Sequence, residues 1–302
     1  MPAPRISLIG GLPLYREAAE ARPGLRPDGH AGLWFDRFFN AYHWDAGEGV
    51  LAIDKNGGKK GEKSRQDQWL DALVRASARD PAPLARRLAA YRARVERLVK
   101  ARGGRTQAFR SDWNFVTGMG LPHPLENGLA WHPTLGVPYL AGAGVKGLLR
   151  GFFTHWTDLD GGLIERWFGP ELDGPEDEAA AGEFVFFDAV PVVPPALMVD
   201  VMTPHMGKWY EEGGEIELDE KGRLPPERVP ADWHDPVPVK FLAVRDIRLL
   251  FAIAPRRRGA GDVPEAEALK ALFDGLRGAL EWVGAGAKTA VGYGRFEESA
   301  EA

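Results

Sequence analysis

The feature that most constrains the fold of this chain is the order in which its apolar periodicities change after residue 105. TQAFRSDWNFVTGM (106–119) reads as a strand, and AGAGVKGLLRGFFTHW (141–156) reads as a helix with Val145, Leu148, Leu149, Phe152 and Trp156 on its apolar side. EFVFFDAVPV (183–192) is apolar on both faces, which predicts a buried second strand. KFLAVRDIRLLFAIA (240–254) predicts a third, with Ile247, Leu249, Phe251 and Ile253 alternating with polar or smaller partners. PEAEALKALFDGLRGALEWV (264–283) repeats apolar residues at Leu269, Leu272, Phe273, Leu276, Leu280 and Val283, an amphipathic helix opened by Pro and acids. AVGYGRFEE (290–298) closes as a short strand.

The order β-α-β-β-α-β predicts an α+β, ferredoxin-like core, an antiparallel sheet covered on one face by two helices. Its other face is expected to be free for a ligand, as in RNA-recognition modules of the same topology. Between the second and third strands, residues 195–239 form a connection too long for a compact domain and are read as an insertion. The division expected is a mainly helical N-terminal extension, 1–105, packed on a core of 106–302. In the extension, GLWFDRFFNAYHW (32–44) is an aromatic-rich element, and the Gly and Lys content of DKNGGKKGEKS (54–64) predicts an exposed loop. Trp69, Leu70, Leu73 and Val74 recur at helical spacing; Leu84, Leu88, Tyr91, Val95, Leu98 and Val99 then form an apolar stripe on an arginine-studded helix ending at Gly103-Gly104.

The net charge of -5 argues against a chain that binds a polyanion through bulk charge, but the charges are segregated. Nine basic residues and one acid lie between Arg86 and Arg110, and six acids without a base lie between Glu171 and Glu183. A phosphate-facing surface is therefore compatible with the composition, although an arginine-rich helix face is most often only a solvated one. The lack of cysteine removes disulfides, thiolate metal sites and thiol nucleophiles, and fits an intracellular, cytoplasmic protein. The opening MPAPRISLIGGLPLYREAAE has no basic segment followed by a long apolar run, and no apolar stretch approaches the ~20 residues that span a bilayer, so neither a secretory signal nor a membrane is expected.

Two glycine clusters carry the chemistry. GAGAKTAVGYGRF (284–296) invites a nucleotide-binding reading, yet a Walker A loop needs Gly directly before its Lys, another Gly five residues earlier, and a strand leading into a helix. Ala287 precedes Lys288, position 282 is Trp, and the preceding element is a helix, which excludes that motif. Glycines still let a backbone approach a ligand, and consecutive amides beside Lys288 and Arg295 can form a nest for a phosphodiester. Equally, Gly284 can cap a helix while Gly292 and Gly294 serve a turn or bulge. In the second cluster Gly142 and Gly144 precede a helix carrying Lys146 and Arg150, and helix N-termini attract phosphate. A tight loop with exposed charges is the plain alternative. In a ferredoxin-like fold the start of the first helix and the final loop lie near one another, so both clusters are candidates to line one groove.

GAGAKTAVGYGRF resembles the C-terminal glycine-rich signature of the RAMP superfamily, and LAGAGVKGLLR resembles its helix-opening motif, with Ala141 and Ala143 where Pro and Ser are usual. GEFVFFDAVPV, DVMTPHMGKWY and DWHDPVPVKFLAV are similar to stretches of the sixth-subunit branch of that superfamily, from the Cmr (type III-B) CRISPR effector complexes. This resemblance, over about residues 110–297, implies a non-catalytic RNA-binding subunit stacked on the repeating backbone RAMP subunit among other Cmr proteins. It further implies a place near the 3′ end of a guide RNA, engaged against single-stranded target RNA. The RNA-contacting residues it implies are Gly142, Gly144, Lys146, Arg150, Gly286, Lys288, Thr289, Gly292, Gly294 and Arg295.

The rival is a RAMP-type endoribonuclease using a loop histidine, for which His123, His132 and His205 are the candidates. Each has a structural alternative beside prolines, where ring packing or capping suffices. Metal and other cofactors are not expected: no His pair has i, i+4 spacing, no HExxH occurs, and DKNGGKKGE lacks the periodic oxygen ligands of a calcium loop. Asp188, at the end of a buried strand, could bind a cation, but a bond to backbone amides or a nearby base is the expectation.

Overall fold

The structure is a computed structural model that describes residues 25–39, 41–45, 47, 50–53, 62–171, 180–204, 206, 209–210, 218, 221–224, 229, 236–256 and 265–299. The N-terminal signal reading, His205, most of the loop 54–64 and much of the insertion lie outside these residues. The described elements are α1 (Ala31–Arg37), β1 (Tyr42–Asp45), β2 (Val50–Ile53), α2 (Arg65–Ala78), α3 (Ala82–Ala101), β3 (Arg105–Ser111), β4 (Asn114–Phe115), α4 (Gly142–Trp156), α5 (Gly161–Phe168), β5 (Phe184–Phe186), β6 (Val190–Pro191), β7 (Ala196–Met202), β8 (Val239–Arg245), β9 (Arg248–Pro255), α6 (Glu265–Gly278) and β10 (Phe296–Glu298).

The ferredoxin-like core is present. Its sheet runs β10-β3-β9-β5, all neighbours antiparallel, which places the four expected strands in the order fourth, first, third, second. Leu249, Phe251 and Ile253 of β9 point to the face covered by α4 and α6, where they join Phe109, Val145, Leu149, Phe153, Leu272, Phe273 and Leu276 in one core. The two helices touch through glycines: a Cβ at Gly275 would stand 2.3 Å from the Phe153 ring, and one at Gly278 would stand 2.7 Å from that of Phe152. Phe153 thus takes the core position, and Trp156 of the expected apolar side is left 59% exposed.

The expectation that the other sheet face is free does not hold. Ala252 and Ala254, the intervening residues of β9, are buried against Val95 and Val99 of α3, and Leu88 packs on Val190 farther along. The small residues on β9 are what let a helix lie that close. A Cβ at Gly104, in the turn from α3 into β3, would meet the Ile253 carbonyl at 2.5 Å, so glycine is required for α3 to lie flat. Most of the arginines of α3 face outward, and the apolar stripe is spent on the sheet.

Two expected strands divide. The first is cut at Asp112-Trp113 into β3 and β4, and the third at Asp246-Ile247 into β8 and β9, with Asp246 at φ +51° pairing with Arg110 (Nη2 donates to Oδ2, 3.0 Å). β4 and β8 join β7 in a second antiparallel sheet, β4-β8-β7. The apolar segments on either side of each break hid it, because a short charged interruption, Asp112 or Arg245-Asp246, does not by itself end a strand pattern. The insertion therefore starts later than expected: 196–202 is a strand paired with 239–245. One face of the second sheet packs on α2 through Leu70, Leu73, Leu197, Leu242 and Val244. In the N-terminal part the aromatic element is split between α1 and β1, and β1 pairs with β2 in a hairpin.

Candidate functional site

The second expected strand is interrupted. Phe186 opposes Ile253 and Val190 opposes Leu250, so four steps on this strand face three on β9, the signature of a bulge. The bulge carries Asp188, whose Oδ1 accepts the Gly142 amide (2.7 Å) at the start of α4. A carboxylate of the chain therefore already occupies the positive end of α4, the place at which sequence reasoning put a phosphate. Gly142 is buried there, and a Cβ on it would stand 2.3 Å from the Phe186 carbonyl. Two residues later, Gly144 is exposed.

At the far end of α6 the helix widens into a π turn, Ala279–Val283, and Gly284 at φ +82° reverses the chain. The glycine-rich loop then runs along β4: the Ala287 amide donates to the Val116 carbonyl (2.7 Å), the Gly294 amide to the Asn114 carbonyl (2.9 Å), and the Ala285 amide to the Gly294 carbonyl (2.8 Å). Glycine is obligatory at two points. At φ +91° a Cβ on Gly286 would be 2.1 Å from the Val116 carbonyl, and at φ +68° one on Gly294 would be 1.9 Å from the Ala285 carbonyl.

These elements enclose a groove of about 520 Å³, lined by Thr117–Gly120, Leu140, Gly144, Leu148 and 284–287. Among the described residues no charged side chain lines it. Its polar chemistry is backbone: the amides of Gly118, Met119, Gly120 and Gly286 donate no hydrogen bond among the described residues, and Gly144 stands in the first helical turn, whose amides have no intrahelical acceptor. A wall of glycine and alanine with unspent amides can admit an extended anionic backbone and donate to it without a cation.

The ten residues implied by the resemblance divide accordingly. Gly144 and Gly286 meet in the groove. Lys146 sits half-buried on α4 with no ion pair among the described residues. Arg150 instead donates to the Gly169 carbonyl (3.1 Å) and lies 3.6 Å from Glu171, tying α4 to the end of α5. The Lys288 ammonium lies 3.8 Å from the Met202 sulfur and 5.6 Å from the Phe241 ring centre, on the second sheet. Lys288 has φ +59° and leads into a short 3-10 turn beginning at Thr289. Gly292 packs under Trp113, and Arg295 donates to the Glu281 carbonyl (3.1 Å), closing the π turn. Sequence reasoning missed Thr117–Gly120, of which Thr117–Met119 read as the end of a strand. The signal was Gly118-x-Gly120 between an apolar run and the proline-rich turn.

The loop is anchored from the second sheet. The Tyr293 hydroxyl donates to Asp200 Oδ2 (2.7 Å), which also accepts from Asn114 Nδ2 (3.3 Å). Burial, then the hydrogen bond and charge of Asp200, push the tyrosine ionisation well above its usual range. Tyr293, Val116, Phe241 and Ala243 pack as a small core beneath.

The two described candidate histidines hold structure. His123 stacks on Phe35 (ring centres 3.9 Å apart), its Nε2 lies 3.0 Å from the Phe35 carbonyl, and its Nδ1 accepts the Leu125 amide (3.1 Å). His132 is buried between Tyr91 and Tyr139, and its Nδ1 accepts the Leu135 and Thr134 amides (3.3 Å each). Burial lowers both imidazole pKa values. Among the described residues no three His, Asp or Glu side chains group to hold a metal ion.

The sequence profile of the RAMP superfamily matches residues 103–297. The CRISPR system Cmr subunit Cmr6 of Pyrococcus furiosus is 40% identical over 248 residues, which cover 64% of this chain and 67% of that protein. Among solved structures, a chain of the type III-B Cmr-beta complex bound to cognate target RNA superposes with a TM-score of 0.53 at 20% identity, over 83% of this chain and 78% of that one. The crystal structure of Cmr6 from Pyrococcus furiosus aligns over 65% of this chain and 98% of that one, at 24% identity and a TM-score of 0.35. With the profile spanning well over half its length, and a ferredoxin-like core closed by the superfamily's glycine-rich signature, the chain belongs to the RAMP superfamily.

Proposed function

We propose that the chain is a non-catalytic RNA-binding subunit of a type III-B CRISPR (Cmr) ribonucleoprotein complex, holding guide RNA near its 3′ end and helping to position target RNA for antiviral defence. Its protein partners are other Cmr subunits, the repeating backbone RAMP subunit foremost, and its compartment is the cytoplasm. In this reading residues 1–105 are an extension packed on a RAMP domain of 106–302. No helix of the described residues is long and apolar enough to cross a membrane.

The observation that carries the reading is the convergence of Gly144, Gly286 and Thr117–Gly120 on one groove with unspent amides and, among the described residues, no acid in its lining. Such a surface suits a phosphodiester backbone, because amide donors and close approach reward anionic oxygens regardless of sequence. Photo-crosslinking of RNA in the assembled complex, with peptide mapping, tests it. Crosslinks are expected within 117–120, 144–148 and 284–289; their absence from all three segments, in a complex that retains RNA, refutes the groove as the RNA site. Cleavage of RNA by the purified chain would refute the non-catalytic assignment.

A further inference from the structure

Trp113 stands on the turn between β3 and β4, half exposed at 50%, and is not part of the groove lining. Its surroundings are fixed. The Asp112 amide donates to the Arg295 carbonyl (3.0 Å), the Ser111 amide to the Ile247 carbonyl (2.8 Å), and the Tyr293 ring packs on the indole with centres 4.7 Å apart. Tyr293 is held in turn by Asp200. Gly292 lies at φ +96°, and a Cβ there would be 3.9 Å from Trp113 Cε3, so the loop approaches the indole with no side chain between them. Val291, next to Gly292 in the loop, is exposed.

We infer that Trp113 is a stacking platform for one nucleobase of a single-stranded RNA whose backbone passes along the glycine-rich loop from the groove. The inference rests on the RNA-binding reading above and goes further by naming the moiety bound and the residue that binds it. Three observations favour a nucleic-acid base as the occupant. The indole's exposed surface is preorganised, with the Tyr293 contact and the two backbone anchors holding it, so little ordering is lost on stacking. A cation is at hand: Arg245, the register partner of Asn114 next to the indole, is exposed and makes no ion pair among the described residues. The loop under the indole is the same one whose first glycines line the groove, six residues upstream of Gly292 at Gly286, and because it coils through the 3-10 turn the two lie closer than the fully extended reach of about three nucleotides.

The test uses the full chain, alone and in the assembled ribonucleoprotein, with a single-stranded RNA carrying 4-thiouridine at successive positions. A crosslink to Trp113 at one position is expected. Trp113→Ala is expected to weaken binding of that RNA roughly 5- to 150-fold, the span that base–aromatic stacking covers per base, while Trp113→Phe retains most of it. An abasic site at the crosslinked position is expected to erase the difference between wild type and Trp113→Ala. Trp113→Ala is also expected to leave the slope of log affinity against log salt unchanged, since no phosphate contact is removed. An equal loss on abasic RNA, or no loss for a variant with a wild-type unfolding transition, overturns the platform. Loss of subunit assembly with RNA affinity intact overturns it in favour of a protein partner. Gly144→Glu in the same assay reads the groove alone: RNA binding weakened by Gly144→Glu but not by Trp113→Ala ends the platform and keeps the RNA reading, whereas indifference to both ends both.

Discussion

Replacing Gly144 with Glu separates ligand binding from folding, because the same side chain should strengthen the helix and weaken the RNA complex. Gly144 is exposed in the first turn of α4, and a Cβ there meets only the end of the Leu140 side chain, at 3.2 Å. Removing a glycine from a helix gains about 0.5 kcal/mol. A carboxylate in the first turn adds about 0.3 kcal/mol, the low end of the range, because Asp188 already sits on the Gly142 amide. The folded state should gain a little under ~1 kcal/mol, about +1 °C in Tm for a chain of 302 residues. In the groove the new charge faces whatever anion is bound. At ~6 Å from a phosphate, Coulomb's law costs about 3 kcal/mol at an effective dielectric constant of ~20 and half that at ~40, a loss of roughly 10- to 100-fold. Gly144→Gln has the same bulk without the charge and is the control. The assay is RNA affinity for the two variants at two salt concentrations, beside a thermal melt; the Glu–Gln gap should narrow as salt rises. Equal RNA affinity for Glu and Gln, with both folded, would mean that no phosphate enters the groove.

Other consequences are as direct. Gly294→Ala should cost about 2–4 kcal/mol in a denaturant titration, since the added carbon stands 1.9 Å from the Ala285 carbonyl at φ +68° and the loop must move. Tyr293→Phe should cost about 1–2 kcal/mol by leaving Asp200 short of a donor, and combining it with Asp200→Ala should be clearly non-additive; simple additivity would mean that the pair does not anchor the loop. Stability should also depend on pH near neutrality. The folded-state pKa values of His123 and His132 are lowered from 6.5, so their contribution is complete above pH 6.5 and is lost as pH falls below it, when the unfolded chain takes up protons that the folded one refuses. The slope is at most about 1.4 kcal/mol per pH unit for each ring, and a flat stability between pH 7 and 5.5 would contradict the buried neutral imidazoles.

The fold was legible where burial differs between faces and illegible where it does not. Leu269, Leu272, Phe273 and Leu276 announce α6 because only one side of that helix meets the core. KFLAVRDIRLLFAIA conceals a change of sheet because Phe241 to Val244 and Leu249 to Ala254 are buried on both sides, and the charged interruption Arg245-Asp246 between them reads equally as the exposed edge of one long strand. Asp246 at positive φ is the one local sign. In the site, glycine content located the right loops but not their uses. Gly142 and Gly294 serve close backbone packing, whereas Gly144 and Gly286 also border open space, and the residue type is the same in all four. The charged residues misled for a related reason: Arg150 and Arg295 end on carbonyls left unpaired by α5 and the π turn, which a sequence does not display.

Burial of the second sheet face bears on where any ligand can sit. A ferredoxin-like sheet has two broad faces; α4 and α6 take one, and Val95 and Val99 of α3 take the other, over Ala252 and Ala254. With both closed, the core sheet leaves a ligand the ends of its elements, and at the groove the backbone is the chemistry on offer. At one such end three chain segments meet: the start of α4, the π turn that ends α6, and the loop after β4. Each supplies glycine, and each supplies an amide with no partner among the described residues. The same closure leaves the exposed arginines of α3, among them Arg86, Arg94 and Arg97, on the outside of the covering helix and away from the sheet. The basic run of the sequence and the glycine groove are therefore carried by different elements, so neutralising Arg86, Arg94 and Arg97 together should leave crosslinks in the groove in place even where overall RNA affinity falls; losing those crosslinks as well would mean that one RNA path joins the two surfaces.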